Sequence, residues 1–309
     1  MTQLSVVIPV FNEAENLAIL HQRLKTTCEK ITANFEIIYV NDGSKDQSLA
    51  IIKNFTEKDS QVFYINLSRN FGHQIAISAG LDIANGEAIV IMDSDLQDPP
   101  ELILELYQKH QEGFEVVYAQ RNKRKGDPIL KKIAAKVFYK ILSRITAFKM
   151  PLDTGDFRLI DRKILENLKK MPEKQKYIRG QIAWLGFKQT GVLFERDARL
   201  HGKSNYTYGK LIQLAWYGIT GFSNVPLSFI IKFGLFITIF SFIAIVYILF
   251  NYFVINQNIS HLAGIIISCT FIGGIQLLVI GIVAEYISNI NTNVQNRPLY
   301  IVDETNKAK

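Results

Sequence analysis

Cysteine is scarce in this chain: 2 in 309 residues, Cys28 and Cys269, far apart in sequence. A disulfide framework is thereby excluded, and a reducing compartment fits. No Gly-x-Gly-x-x-Gly follows the first apolar stretch, and no Gly-x-x-x-x-Gly-Lys-Ser/Thr occurs anywhere. Both absences disfavour dinucleotide binding and P-loop hydrolysis, so a phosphate-rich ligand must be met by a metal and by basic side chains. Internal repeats and low-complexity tracts are also lacking. The run Leu4–Val10 is too short for a cleavable signal peptide and gives way at once to Asn12 and Glu13. Finally, there is no Asp, Glu, Lys or Arg between Lys232 and Glu285.

That last gap contains two apolar runs, about 227–254 and about 262–287, split by the polar Asn256–Ser260. Each exceeds the roughly 20 residues a helix needs to cross a bilayer. The expectation is a two-helix membrane hairpin within residues 226–290, preceded by a catalytic domain over 1–225 and followed by a tail over 291–309. Lys and Arg crowd the region before the hairpin and are missing from its connecting loop, which places both termini in the cytoplasm. Gly264, Ser268, Gly273, Gly274 and Gly281 would allow close helix packing, including between copies of the chain.

Residues 1 to about 120 alternate strand and helix. Strands are expected at Leu4–Val10, Phe35–Val40, Val62–Leu67, Ala88–Met92 and Val116–Ala119, with helices between them. This order predicts an α/β fold with a mainly parallel sheet and helices on both faces. Polar residues gather after each strand: Asn12 and Glu13, Asp42 and Ser44, Ser68 and Arg69, Asp93 and Asp95, and Arg121. Ligands of open α/β sheets bind at those carboxyl ends.

The most informative stretch is Ala88-Ile-Val-Ile-Met-Asp-Ser-Asp-Leu-Gln-Asp-Pro-Pro100. In an extended segment Asp93, Asp95 and Gln97 point the same way. Two carboxylates and an amide oxygen are hard ligands, suited to Mg2+ or Mn2+ shared with a substrate's phosphates. An acidic turn that only caps the following helix is the plainer reading of this stretch alone.

Five motifs in order, Val7-Ile-Pro-Val-Phe-Asn-Glu13, Asn41-Asp-Gly-Ser44, Leu67-Ser-Arg-Asn-Phe-Gly72, Met92–Pro100 and Arg199-x-x-Gly-x-Ser204, resemble the inverting family-2 glycosyltransferases of GT-A fold. With the apolar C-terminal runs and Gln295-Asn-Arg-Pro-Leu-Tyr300, the chain is similar to the polyisoprenyl-phosphate glycosyltransferases, the group of dolichol-phosphate mannose synthase and bacterial bactoprenol glucosyltransferase. The resemblance implies that Pro9, Phe11 and Glu13 line a nucleoside pocket and that Asp42 accepts a hydrogen bond from the base. It implies that Asp93 contacts the nucleotide, that Asp95 and Gln97 hold the metal, and that Arg121, Arg199 and Lys203 face phosphates. Asp156, in Thr154-Gly-Asp-Phe-Arg158, matches the catalytic base, with Arg158 as a cation beside it. Asn41 stands where many relatives carry Asp. The implied reaction moves a hexose, glucose from UDP-glucose in the bacterial branch, onto undecaprenyl phosphate at the cytoplasmic face of the inner membrane of a bacterium. The sugar-lipid product then serves glycan or O-antigen modification.

The chain's formal charge of +7 is concentrated. From Arg121 to Lys149 there are ten Lys or Arg against Asp127 alone. Lys132, Lys136, Lys140 and Arg144 form an i, i+4 stripe, which predicts a helix over about 130–148 lying on anionic lipids, with a second interfacial helix over about 206–222. Nucleic-acid binding competes for a basic helix, and the apolar runs argue against it. Alternatives for the whole chain are a GDP-mannose-dependent polyprenyl-phosphate mannose synthase, a processive polysaccharide synthase, and a non-catalytic membrane protein that binds nucleotide sugars. Gln181-Ile-Ala-Trp184 lacks the Arg of the synthases' Gln-x-x-Arg-Trp.

Overall fold

The computed structural model describes residues 2–121, 151, 154–195 and 261–307, with a few isolated positions between Lys232 and Phe250. The chain divides into two compact units, Met1–Ala215 with Arg297–Lys309, and Trp216–Asn296.

The first unit opens with β1 (Leu4–Val10), α1 (Ala14–Ile31), β2 (Phe35–Asn41), α2 (Ser48–Lys58), β3 (Val62–Leu67), α3 (His73–Ile83) and β4 (Ala88–Ile91). A 3-10 turn (Pro100–Leu102) leads into α4 (Ile103–Gln111), β5 (Val116–Arg121), β6 (Thr154–Asp161), α5 (Arg162–Lys169), α6 (Ile178–Trp184) and β7 (Gln189–Phe194). These strands and β8 (Val302–Thr305) form one eight-stranded sheet in the order β7-β5-β6-β4-β1-β2-β3-β8. Pairs β1–β2, β1–β4, β2–β3 and β5–β7 are parallel, whereas β6 and β8 run antiparallel to their neighbours. The sheet is mixed and mostly parallel, as the strand–helix alternation implies.

β1 and β2 are buried at every position, as a parallel strand covered on both faces must be. Pro9 is tolerated in this central strand because β4 pairs only with Leu4–Val7, so its missing N–H falls beyond that ladder. On one face Leu17, Leu20 and Leu24 of α1 pack with Ile52, Ile103 and Leu106; on the other Ala76, Ile77 and Leu81 of α3 pack with Ile164, Leu165, Ile178 and Ile182. α3 sits so close to the sheet that a Cβ on Gly80 would lie 2.3 Å from Val7 Cγ1.

The residues expected as a C-terminal tail contain a strand. β8 pairs with β3, and its Glu304 carboxylate takes the Tyr64 hydroxyl at 2.7 Å. Lys307 then reaches under the sheet to Glu36 and to the Ile83 carbonyl, both ends of the ion pair being almost wholly buried. Glu36 also accepts from Ser5 Oγ at 2.6 Å and from the Asn85 amide at 2.7 Å.

In the second unit α7 (His261–Val294) has 34 residues, about 51 Å of helix at 1.5 Å per residue. Among the described residues no helix is long and apolar enough to cross a membrane, and part of α7's side chains lie outside that description. Most of the first expected span, the two expected interfacial helices, Arg199 and Lys203 are also outside the described residues.

Removing one partner of a buried ion pair strands the other charge, at a cost of about 3–5 kcal/mol. Lys307→Met is therefore expected to cost at least about 3 kcal/mol in denaturant unfolding of the detergent-solubilised chain. Lys53→Met, which breaks the exposed 2.5 Å pair with Glu304, should cost far less. Equal losses would show that the Glu36–Lys307 pair is not buried in solution.

Candidate active site

The loops after β1 and β2 are stitched together by side chains that take up backbone N–H groups. Asn12, at φ 56°, adopts the left-handed conformation that Asn tolerates best after Gly. Its amide donates to Ser44 Oγ at 3.0 Å, and its Oδ1 accepts from the Lys45 amide at 2.8 Å. The Glu13 amide donates to Ser48 Oγ at 3.0 Å and the Ala14 amide to Asp46 at 3.1 Å, so the open N-terminus of α1 is capped from the neighbouring loop. Asp46 also accepts from the Ser48 amide; burial raises its pKa, but these bonds outweigh it and the net shift is down. Glu13 itself holds Asn16 Nδ2 at 2.6 Å.

Asp42 joins β2 to the loop after β3. Its two carboxylate oxygens accept from the Phe71 and Gly72 amides at 2.7 and 3.0 Å. Burial raises its pKa, and the two N–H bonds only partly offset that. A carboxylate has about four acceptor positions, so capacity remains for the base-reading role implied by resemblance. Asn41 is buried and bonds Asn66 at 2.7 Å, which in turn bonds Asp303 at 3.1 Å. An amide fits this relay without bringing a second charge into it.

The segment after β4 departs from expectation. The strand ends at Ile91, two residues before Asp93, and Leu96 has φ 57°. Asp95 Oδ1 accepts the Gln97 amide at 3.1 Å, the local turn that Asp makes with the residue two ahead. Strand alternation therefore does not orient Asp93, Asp95 and Gln97; a side-chain-closed turn does. No group of three or more His, Cys, Asp or Glu suited to a metal is present among the described residues. The donor set fits a hard cation only if other oxygens, such as a substrate's phosphates, complete its shell.

Asp156, near the start of β6, lies at the centre of the site. Its Oδ2 accepts from Gln74 Nε2 at 2.8 Å and lies 3.2 Å from His73 Nε2, which is also 3.3 Å from Asp93 Oδ1. Asp156 Oδ1 is buried with no hydrogen-bond partner among the described residues. Gln74 Oε1 in turn takes the Ile178 amide at 3.0 Å, fixing the start of α6. Burial raises the Asp156 pKa, but the His73 hydrogen bond and the Arg179 and Arg158 charges overcome it and hold the carboxyl well below its usual range. For His73, burial alone lowers the pKa; Asp93 and Asp156 reverse this and raise it well above 6.5.

Arg158 does not bond the Asp156 carboxylate. Its guanidinium donates to the Gly155 carbonyl at 2.7 Å and the Asp156 carbonyl at 3.4 Å, and the cation on the carboxylate is His73. Arg121 lies over Gly155, its terminal nitrogen 3.1 Å from where a Cβ would stand. The site thus gathers Asp93, Arg121 and Asp156, together with His73 and Gln74, which motif reading passed over. The signal for those two is their position: polar residues at the start of α3, after the loop that leaves β3. A separate concavity of about 170 Å3, lined by Ser78, Asp82, Lys169, Lys176, Gln181 and Leu299 among others, contains none of these strand-end residues.

Gly43 has φ 68°, and a Cβ there would lie 2.6 Å from the backbone of Arg69 and Asn70. Gly113 has φ 91° and open space around it. Ala at Gly113 is expected to cost only left-handed strain, about 1–2 kcal/mol. Ala at Gly43 should cost at least about 1 kcal/mol more, because the two loops must part. It should also weaken the nucleotide binding that the resemblance implies, read by titration calorimetry, which Gly113→Ala should leave unchanged.

Comparison with known proteins identifies the family. The profile of the family described as glycosyl transferase family 2 matches residues 5–169. An uncharacterized glycosyltransferase of Bacillus subtilis, YkcC, is 44% identical over 303 residues, 98% of this chain and 94% of that protein. The bactoprenol glucosyl transferase of Shigella phage SfII is 37% identical over 306 residues, 99% of each chain. Among solved structures, glucosyl-3-phosphoglycerate synthase from Mycobacterium tuberculosis, in complex with Mn2+, UDP and phosphoglyceric acid, has a TM-score of 0.51 at 18% identity over 71% of this chain and 76% of that one, a likeness of fold. With more than half its length matched by the family profile and full-length relatives that include bactoprenol glucosyl transferases, the chain belongs to glycosyl transferase family 2.

Proposed function

We propose that the protein transfers glucose from UDP-glucose, with inversion, to undecaprenyl phosphate at the cytoplasmic face of a bacterial inner membrane. The observation that carries this reading is Asp156: a carboxylate largely out of water, with one oxygen held by Gln74 and His73 and the other without a hydrogen-bond partner among the described residues, beside Asp93 just past β4. The phage SfII relative, named a bactoprenol glucosyl transferase, supports the sugar and the lipid.

In this reading the phosphate oxygen of the acceptor attacks the anomeric carbon, and the bond from that carbon to the UDP oxygen breaks with its electron pair. A phosphate monoester has its second pKa near about 6, so at neutral pH the nucleophile carries no proton to remove. A carboxyl held well below its ordinary range is a weak base. Asp156 therefore orients the acceptor and sugar more than it abstracts a proton. Asp95 and Gln97 would hold a divalent cation, Mg2+ or Mn2+, whose chemistry is to neutralise the departing diphosphate. Arg121 adds fixed positive charge, and Arg199 and Lys203 are assigned the same role.

Membrane attachment is part of the proposal. Arg297–Lys309 belongs to the same compact unit as residues 1–215, and β8 pairs with β3. In this proposal the chain crosses the bilayer an even number of times between Ala215 and Arg297, as a hairpin over about 227–254 and 262–287 would. Ile265, Ile280 and Ile287 are exposed along α7, which suits a lipid surround or a second copy of the chain.

Asp156→Asn is expected to lower kcat at least about 100-fold while leaving the UDP dissociation constant within about threefold. Because the Asp156 pKa is depressed, its carboxylate stays charged as pH falls through the usual carboxylate range. The acidic limb of kcat near pH 6 should therefore belong to the acceptor phosphate and persist in Asp156→Asn. Loss of that limb in the variant would make Asp156 the titrating base.

Purified protein in liposomes with undecaprenyl phosphate and a panel of labelled UDP- and GDP-sugars tests the substrates. UDP-glucose with Mg2+ or Mn2+ should give a labelled lipid, and EDTA or Asp95→Ala should abolish it. Transfer only from GDP-mannose would replace the sugar assignment. Absence of any sugar transfer or donor hydrolysis would favour a binding protein.

A further inference from the structure

A cation at a helix N-terminus opposes the helix dipole and is disfavoured by a few tenths to about 1 kcal/mol. His73, the first residue of α3, is nonetheless placed where two carboxylates favour its charged form. The same nitrogen, Nε2, lies 3.3 Å from Asp93 on the β4 end and 3.2 Å from Asp156 on β6. Its neighbour Gln74 donates to the same Asp156 oxygen and accepts the first amide of α6. Two consecutive residues of α3 thus grip Asp156 Oδ2 only, and Oδ1 is buried with no hydrogen-bond partner among the described residues.

We infer that His73 is a positioning residue for sugar transfer: it ties the donor-side carboxylate Asp93 to Asp156 and fixes Oδ2 as the held oxygen, leaving Oδ1 for the reactants. The inference rests on the glycosyl-transfer reading of Asp156 given above. Three features carry it. The contact is shared between a carboxylate just past the end of β4, met at Oδ1 as an ion pair rather than a hydrogen bond, and a carboxylate on β6. His73 Nε2 can bridge both because β4 and β6 are adjacent antiparallel strands, pairing Ile91 with Arg158. One imidazolium between the two carboxylates also helps Asp156 stay ionised, with the Arg179 and Arg158 charges adding to its effect. Arg158, the basic residue nearest in sequence, is spent on backbone carbonyls.

His73→Gln keeps a hydrogen-bond donor but removes the charge and the ring's reach to both acids. In full-length protein in undecaprenyl-phosphate liposomes, kcat at saturating UDP-glucose should fall about tenfold or more, with the UDP dissociation constant within about threefold. Joined to Asp156→Asn, it should slow transfer by less than about twofold beyond Asp156→Asn alone, because the two act as one unit. Independent, multiplying effects, or an unchanged kcat, would overturn the inference. Should His73→Gln fail to fold, wild-type protein carries the test through 15N NMR of labelled histidine. The His73 Nε2 resonance should move on Asp156→Asn and again on Asp93→Asn, and no response to either would overturn it. If Asp156→Asn itself leaves transfer intact, the glycosyl-transfer reading of Asp156 fails, and the His73 inference with it. If Asp156→Asn is slow and His73→Gln is not, only the inference fails.

Discussion

The first unit is constrained by charge balance at the carboxyl ends of its strands. Asp42 and Asp95 are buried there, Asp93 and the Asp156 of antiparallel β6 are largely out of water at the same sheet edge, and Asp46 beside them is exposed; an unpaired carboxylate removed from water is costly. The chain meets each in its own way. Asp42 and Asp46 are satisfied by backbone N–H groups, which turns them into struts between loops. Asp93 and Asp156 share the imidazolium of His73. Asp95 closes its own turn through the Gln97 amide. Loops that would otherwise be free are fixed by the groups that need neutralising, so the same bonds that stabilise the strand ends also shape a ligand site.

The C-terminal strand extends this economy to the far edge of the sheet. β3 would otherwise present an unpaired edge, a liability for aggregation. β8 covers it, and Lys307 continues to a buried carboxylate on β2. The relay Asn41–Asn66–Asp303 connects this edge strand to the residue preceding Asp42. A segment that follows the long apolar region in sequence is therefore part of the first unit's sheet.

Much of the first unit is legible in the sequence because parallel strands buried on both faces leave continuous apolar runs. Leu4–Val10 and Val62–Leu67 are found with those limits. β6, β7 and β8 are not legible in this way. Thr154–Asp161 mixes charge with apolar residues because Arg158 is buried on backbone carbonyls, and Val302–Thr305 is four residues of mostly polar edge. At the site the acids are legible as types, but their geometry is not. Asp93, Asp95 and Gln97 read as an alternating strand, yet Leu96 at φ 57° breaks that alternation, and no pattern of residue types announces it. Arg158 reads as a candidate cation for Asp156 because it is near in sequence. The backbone carbonyls at Gly155 and Asp156 claim it instead, and a histidine from 83 positions earlier takes its place.

The environment of Asp156 also bears on which acceptor the site suits. A sugar hydroxyl gives up a proton when it attacks, and a general base for that task works best with its pKa raised towards neutrality by burial or by a neighbouring acid. Asp156 has the burial, but its nearest charges are cations: His73, with Arg179 and Arg158 behind it. They push the carboxyl the other way and leave it ionised and weakly basic. Such a group serves an acceptor that arrives already deprotonated. A phosphate monoester at neutral pH is one, and its own negative charge is tolerable beside Asp156 because His73 cancels part of the local field. The arrangement that makes Asp156 a poor base thus makes it compatible with a phosphate nucleophile, and the same residues account for both properties.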